Sequence, residues 1–169
     1  MSYNRIAGGM VAVATAAVLA VALSGCSSSA ASPKSSVNLA KQTTLTVESQ
    51  IAAFVPANQV VSTHQTLTSA VIFPCLGKSG QSYWPGSTVV NVKSGANTAS
   101  ILSAIAAHWT NDDGWTVFQS NDAAGNPTLI IKSSIQASFT VSFVQGPQLS
   151  IVALSSCFPN AGLEGLKSY

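Results

Sequence analysis

Between Trp115 and Cys157 the chain repeats one kind of segment four times, as "WTVFQS", "PTLIIKS", "SFTVSFV" and "LSIVALSSC". Only "NDAAGN", "SIQA" and "QGPQ" separate them. Connections this short cannot carry a crossover, so consecutive runs must pair as antiparallel hairpins and form a meander. The third run alternates, with Phe139, Val141 and Phe143 on one side and Ser138, Thr140 and Ser142 on the other. One face of the sheet is therefore expected to be buried and the other wetted. A buried face needs a covering layer, and upstream the chain offers two helical candidates.

The clearer candidate is "NTASILSAIAAHW". Asn97 or Thr98 can cap it, and Ile101, Ile105 and His108 with Leu102, Ala106 and Trp109 make one broad apolar face. Gly114 in the following "NDDG" suits the left-handed turn that ends many helices. The other, "SVNLAKQTTLTVESQIAAFVP", sets Ala40, Thr44, Val47, Ile51 and Phe54 at helical spacing, with Pro56 just past its end. "VVSTHQTLTSAVIFPC" and "TVVNVK" are β-branched and read as strands, with the Gly- and Pro-bearing "GKSGQSYWPGS" as a loop between them. The expectation is an α+β fold in the order α-β-β-α-β-β-β-β, an antiparallel sheet of about five to six strands packed against two helices.

Composition narrows the class of protein. Charged residues are 7% of the chain and hydrophobic residues 47%, against roughly 25% charged in ordinary soluble domains. That balance excludes an intrinsically disordered chain, which needs high net charge and few apolar groups. The net charge of +2 includes Arg5 near the N-terminus, and no basic cluster tracks phosphates, so nucleic-acid binding is not expected.

The N-terminus has its own pattern. "MSYNRIAGG" with Arg5 precedes the apolar run "MVAVATAAVLAVAL", which is signal-peptide length and short of a membrane span of about 20 residues. At its end, Leu23, Ser24, Gly25 and Cys26 form "LSGC", which resembles the lipobox of bacterial lipoproteins. The resemblance implies a diacylglyceryl group on the Cys26 thiol, cleavage between Gly25 and Cys26, and a cell-membrane anchor on the extracytoplasmic face. Residues 1–25 are then the lipoprotein signal peptide. Residues 26–36 are the lipidated cysteine and a Ser/Ala/Pro tether ("SSSAASPKSS"), and 37–169 a single α+β domain. The competing reading is an ordinary signal peptide with an incidental cysteine.

With Cys26 assigned to lipid, Cys75 and Cys157 are left at the ends of expected strands, in a compartment where disulfides persist. A bond between them closes a loop of roughly 80 residues and contributes about 4 kcal/mol. Two buried free thiols, or a cysteine nucleophile beside His64 or His108, are the alternatives. Taken together, the lipobox, the tether, "FPC", a helix ending "HW", "GW" and the late "SSCF" resemble small mycobacterial and actinobacterial cell-envelope lipoproteins, the LppA-like group. That resemblance implies an α+β domain with an internal disulfide and carries over no catalytic residues.

Titratable groups are sparse. Beyond the tether the carboxylates are Glu48, Asp112, Asp113, Asp122 and Glu164, and the histidines are His64 and His108. Asp112 and Asp113 in "NDDG" read as turn formers, and His108 beside Trp109 as a packing residue. No nucleophile elbow, H-E-x-x-H or phosphate loop occurs. No catalytic residue, metal or cofactor is expected. The aromatic residues offer more: Tyr83 and Trp84 in the Gly/Pro loop form a candidate binding loop, while Trp109 and Trp115 are expected to plug the core under the "TNDDG" turn.

These features favour a non-enzymatic binding module of the cell envelope, held to the membrane through Cys26 and presented to an envelope protein, glycan or lipid. The alternatives are a phage- or prophage-encoded superinfection-exclusion lipoprotein, a lipid carrier, and a hydrolase using His108 with Asp112 or Asp113.

Overall fold

The computed structural model describes residues 33–65, 70–144 and 146–163. The chain divides into a unit over Met1–Ala30 and a compact unit over Ala31–Tyr169. The expected signal peptide, Gly25, Cys26 and the tether as far as residue 32 lie outside the described residues.

The first helix, α1, spans Pro33–Ala52. It starts four residues before the expected domain boundary, so the end of "SSSAASPKSS" is helical rather than tether. Proline suits a first helical position because its missing N–H would have no partner there. The buried stripe of α1 is Val37, Ala40, Thr44, Val47, Glu48 and Ile51. Thr44 fits that stripe because its hydroxyl donates back to the Ala40 carbonyl at 2.8 Å. Phe54 lies past the helix end and is half-buried.

The strands follow as β1 (Val60–Gln65), β2 (Phe73–Pro74), β3 (Gln81–Tyr83) and β4 (Pro85–Val92), after a short 3-10 turn at Ala57–Gln59. The second helix, α2, spans Thr98–Thr110, with Asn97 as its cap: the Asn97 side chain accepts from the Ser100 N–H. Then come β5 (Trp115–Asn121), β6 (Pro127–Ser133), β7 (Ser138–Phe143), β8 (Gln148–Leu154) and β9 (Phe158–Pro159). Gly114 takes φ +85° in the turn after α2, the left-handed geometry that turn requires.

Six strands form one antiparallel sheet in the order β1-β4-β8-β7-β6-β5. The C-terminal meander is intact, and β4 and β1 extend it on the β8 side. Every neighbouring pair is antiparallel, so β4 and β5 run in the same direction and α2 must return across the sheet between them. Helix α1 packs on β4 and β8, and α2 on β5, β6 and β7. The main core lies under both helices and is built from Val90, Leu149, Ile151, Val141, Phe139 and Ile131 of the sheet with Ile51, Ile105 and Trp109 of the helices.

A second sheet, in the order β2-β3-β9, takes β2 from the end of "VVSTHQTLTSAVIFPC", expected as a strand with room for irregularity, β3 from the expected loop, and β9 from the residues after Cys157. It carries the Cys75–Cys157 disulfide and a smaller core of Val37, Ala40, Ala70, Trp84, Phe158 and Leu163. Among the described residues the fold is thus α+β, with two α-helices, antiparallel sheets of six and three strands, and one internal disulfide.

Candidate functional site

Both the N-terminal end of α1 and the end of the sheet at which β5 begins border one cleft of about 290 Å³. Ser36, Leu39 and Thr43 of α1 form one wall, Ile135 in the β6–β7 turn another, and Cys157 with Phe158 a third. Trp115 and Phe139 lie at its base, their rings 6.0 Å apart. The rim residues Leu39 and Ile135 are 66% and 62% exposed, which is unusual for large apolar side chains bordering one concavity.

Between α1 and β4 lies the one deeply buried carboxyl among the described residues. Glu48 has no solvent exposure, and its Oε2 accepts from the Thr88 hydroxyl at 2.7 Å. Its Oε1 has no hydrogen-bond partner. Desolvation pushes the carboxyl up from 4.5 to about 7, and the Thr88 bond opposes that rise. Gly86 makes the room: a Cβ there would collide with Glu48 Oε1, and would meet Trp84 Cζ3 at 2.9 Å and Thr44 Cγ2 at 3.0 Å. The burial of Glu48 was not among the expectations from the sequence. The signal was present, since Glu48 sits four residues after Thr44 on the same helical stripe.

The expected Tyr83–Trp84 binding loop is corrected by the structure. Tyr83 ends β3 and Pro85 starts β4, so Trp84 joins two strands. Its side chain is fully buried in the smaller core. The Trp84 N–H donates to Ser155 Oγ, and the Trp84 carbonyl accepts from the Ser155 N–H, each at 2.9 Å. Lys41 Nζ stands 5.9 Å from the indole centroid. A tryptophan clamped in this way has no face to offer a partner. Tyr83 is half-buried and stacks on the exposed Phe73, with ring centroids 5.8 Å apart.

Trp109 and Trp115 do pack under the turn, edge to face at 4.4 Å. His108 departs from the expected apolar face of α2. It is exposed, with its ring 4.9 Å from Phe54, because the buried stripe runs through Ile101, Leu102, Ile105, Ala106 and Trp109. Asp112 and Asp113 are exposed in the turn, where the Asp112 carbonyl accepts from the Trp115 N–H. Asp122 is committed to its own hairpin: bonds from the Asn126 side chain and from nearby backbone N–H groups hold its carboxyl below the usual range. His64 lies on β1 and lines a broad trough of about 830 Å³ with Ala52, Val60 and Thr88. No group of three or more His, Cys, Asp or Glu side chains that could hold a metal ion occurs among the described residues. Nor is any described helix long and apolar enough to cross a membrane.

No described element covers the face of the large sheet opposite the helices. A row runs across five strands through Ser87, Val152, Thr140, Ile130 and Phe118, each opposite the next in register. Val152, Leu154 and Phe118 are 48%, 40% and 49% exposed. Apart from His64 and Lys132, whose Nζ sits 5.4 Å from the Phe118 ring centroid, the strands place no titratable side chain on this face.

Fold and surface define a small disulfide-braced α+β domain with one helix-covered and one open, charge-poor sheet face. No protein-family model, curated protein or solved structure matches the chain.

Proposed function

We propose that the chain is an extracytoplasmic lipoprotein, anchored by diacylglycerol on Cys26, and that its domain is a non-enzymatic interaction module of the cell envelope. The observation that carries the module reading is the uncovered face of the six-stranded sheet, where Phe118, Val152 and Leu154 are exposed among serines and threonines. A wide, nearly uncharged surface of this kind suits contact with an uncharged part of an envelope partner, since apolar area gained on contact is not offset by the desolvation of charge. The Cys75–Cys157 bond supports an oxidising compartment, and "LSGC" at the end of the apolar run supports the anchor.

Two measurements test the two halves of the reading. In a bacterial host, a clickable palmitate analogue should label the wild-type chain, and Cys26→Ala should lose both the label and the membrane fraction. A photo-crosslinking residue at Val152 should give a discrete adduct in cells that Phe118→Lys abolishes. Adducts no stronger than those from the exposed loop position Ser94 would remove the sheet face from the proposal.

A further inference from the structure

We infer that the end of the domain at which α1 begins is a membrane-docking face, seated on the same bilayer that holds the Cys26 lipid. The inference rests on the lipoprotein reading for its anchor and goes beyond it in fixing which surface meets lipid.

Chain length supplies the first argument. Pro33, the first residue of α1, follows Cys26 by seven residues, which span about 24 Å at full extension. A domain of this size is roughly 35 Å across. The tether is therefore shorter than the domain it holds, and the end carrying Pro33 stays close to the bilayer.

The second argument is what that end displays. Leu39, Leu76 and Ile135 are 66%, 101% and 62% exposed. They come from three separate segments: α1, the loop after β2, and the β6–β7 turn. Leu39 and Ile135 form the rim of the cleft described above, together with Cys157. The disulfide from Cys157 to Cys75 brings the Leu76 loop to the same place. Lys78 Nζ donates to Gln136 Oε1 at 2.7 Å, tying that loop to the turn beside Ile135.

Single exposed apolar residues are ordinary. Two of them on the rim of an apolar cleft and a third on the loop that the disulfide ties to it, at the end where a short lipidated tether would enter, fit insertion into the headgroup–acyl boundary of a bilayer. The exposed Lys34 and Lys78 stand at the same end and can reach lipid phosphates while their stems stay in the apolar zone. Asp112 and Asp113 also lie at this end, since the Gly114 carbonyl accepts from the Ser134 N–H at 2.7 Å. Apolar contact, rather than net positive charge, is therefore the driving term.

The test uses the lipidated protein purified from membranes and reconstituted into phosphatidylcholine vesicles whose acyl chains are brominated. Ile135→Trp and Leu76→Trp place an indole on the proposed face, and Ala124→Trp places one in the β5–β6 hairpin at the opposite end of the sheet. The increment in emission over the wild-type protein should be quenched several-fold more for the first two than for Ala124→Trp. Equal quenching at all three positions, in protein that floats with the vesicles, overturns the docking face and leaves the anchor standing. Protein that carries no lipid and fails to float overturns both.

Discussion

Glu48 occupies a position on α1 where helical spacing calls for an apolar side chain, and it is as buried as Ile51 one turn later. Folding raises its carboxyl from 4.5 to about 7, so between those values the folded chain holds a proton that the unfolded chain has released. Stability must then fall as pH rises through that window. Below about pH 4.5 the burial carries no ionisation cost, and above about pH 7 it costs about 3 kcal/mol. Asp122 works in the opposite sense and in a lower window, its contribution being lost as pH falls below 3.8. Glu48→Gln keeps an acceptor for Thr88 and cannot ionise. Urea titrations at pH 5 and pH 8 should show the wild-type chain losing stability at the higher pH and the variant holding level. Parallel losses in both chains would refute the assignment. Trp84 carries the other lesson at this scale. Its Gly/Pro neighbours signalled a loop, yet the two bonds to Ser155, one to its hydroxyl and one from its N–H, and the fit against Gly86 made it core.

Among the elements, α2 and the four-strand meander were legible because their signals are local. Asn97 caps, Gly114 terminates, and the period-2 alternation of β7 survives in the register Phe139↔Ala153 and Val141↔Ile151. Asn97→Ala removes the bond to the Ser100 N–H and should cost about 1 kcal/mol, measurable as a lowered denaturation midpoint with unchanged slope. A midpoint that stays put would mean that α2 takes its stability from packing alone. The strands not expected were β3 and β9, while β2 fell at the end of a longer expected strand. Each is two or three residues long, too short for any period to show. β2 and β3 pair as a local hairpin, and β9 exists because β3, from far earlier in the chain, lies beside it.

At the scale of the whole molecule, two cores share α1: the large one under both helices and the small one behind β2-β3-β9. The disulfide joins positions 82 residues apart and sits on the small sheet. Its reduction should cost about 4 kcal/mol and loosen that sheet first. Hydrogen exchange should then speed up at the amides of Cys75 and Asn160, which bond to the Gln81 and Gly80 carbonyls, before it does in β7. Equal acceleration in both sheets would show that the bond braces the fold as a unit.

Local patterns in the chain already specify the α+β class, the two helices and the meander, and three cysteines allow at most one internal disulfide. Each of these rests on local periodicity, on capping and turn residues, or on a count. Packing between distant parts of the chain set the rest: β4 extends the meander beside β8, Trp84 is buried and Glu48 sealed beside Gly86, and Leu39, Leu76 and Ile135 lie at one end. Those outcomes depend on contacts between residues far apart in the chain, where no local pattern reports which side chains will become neighbours.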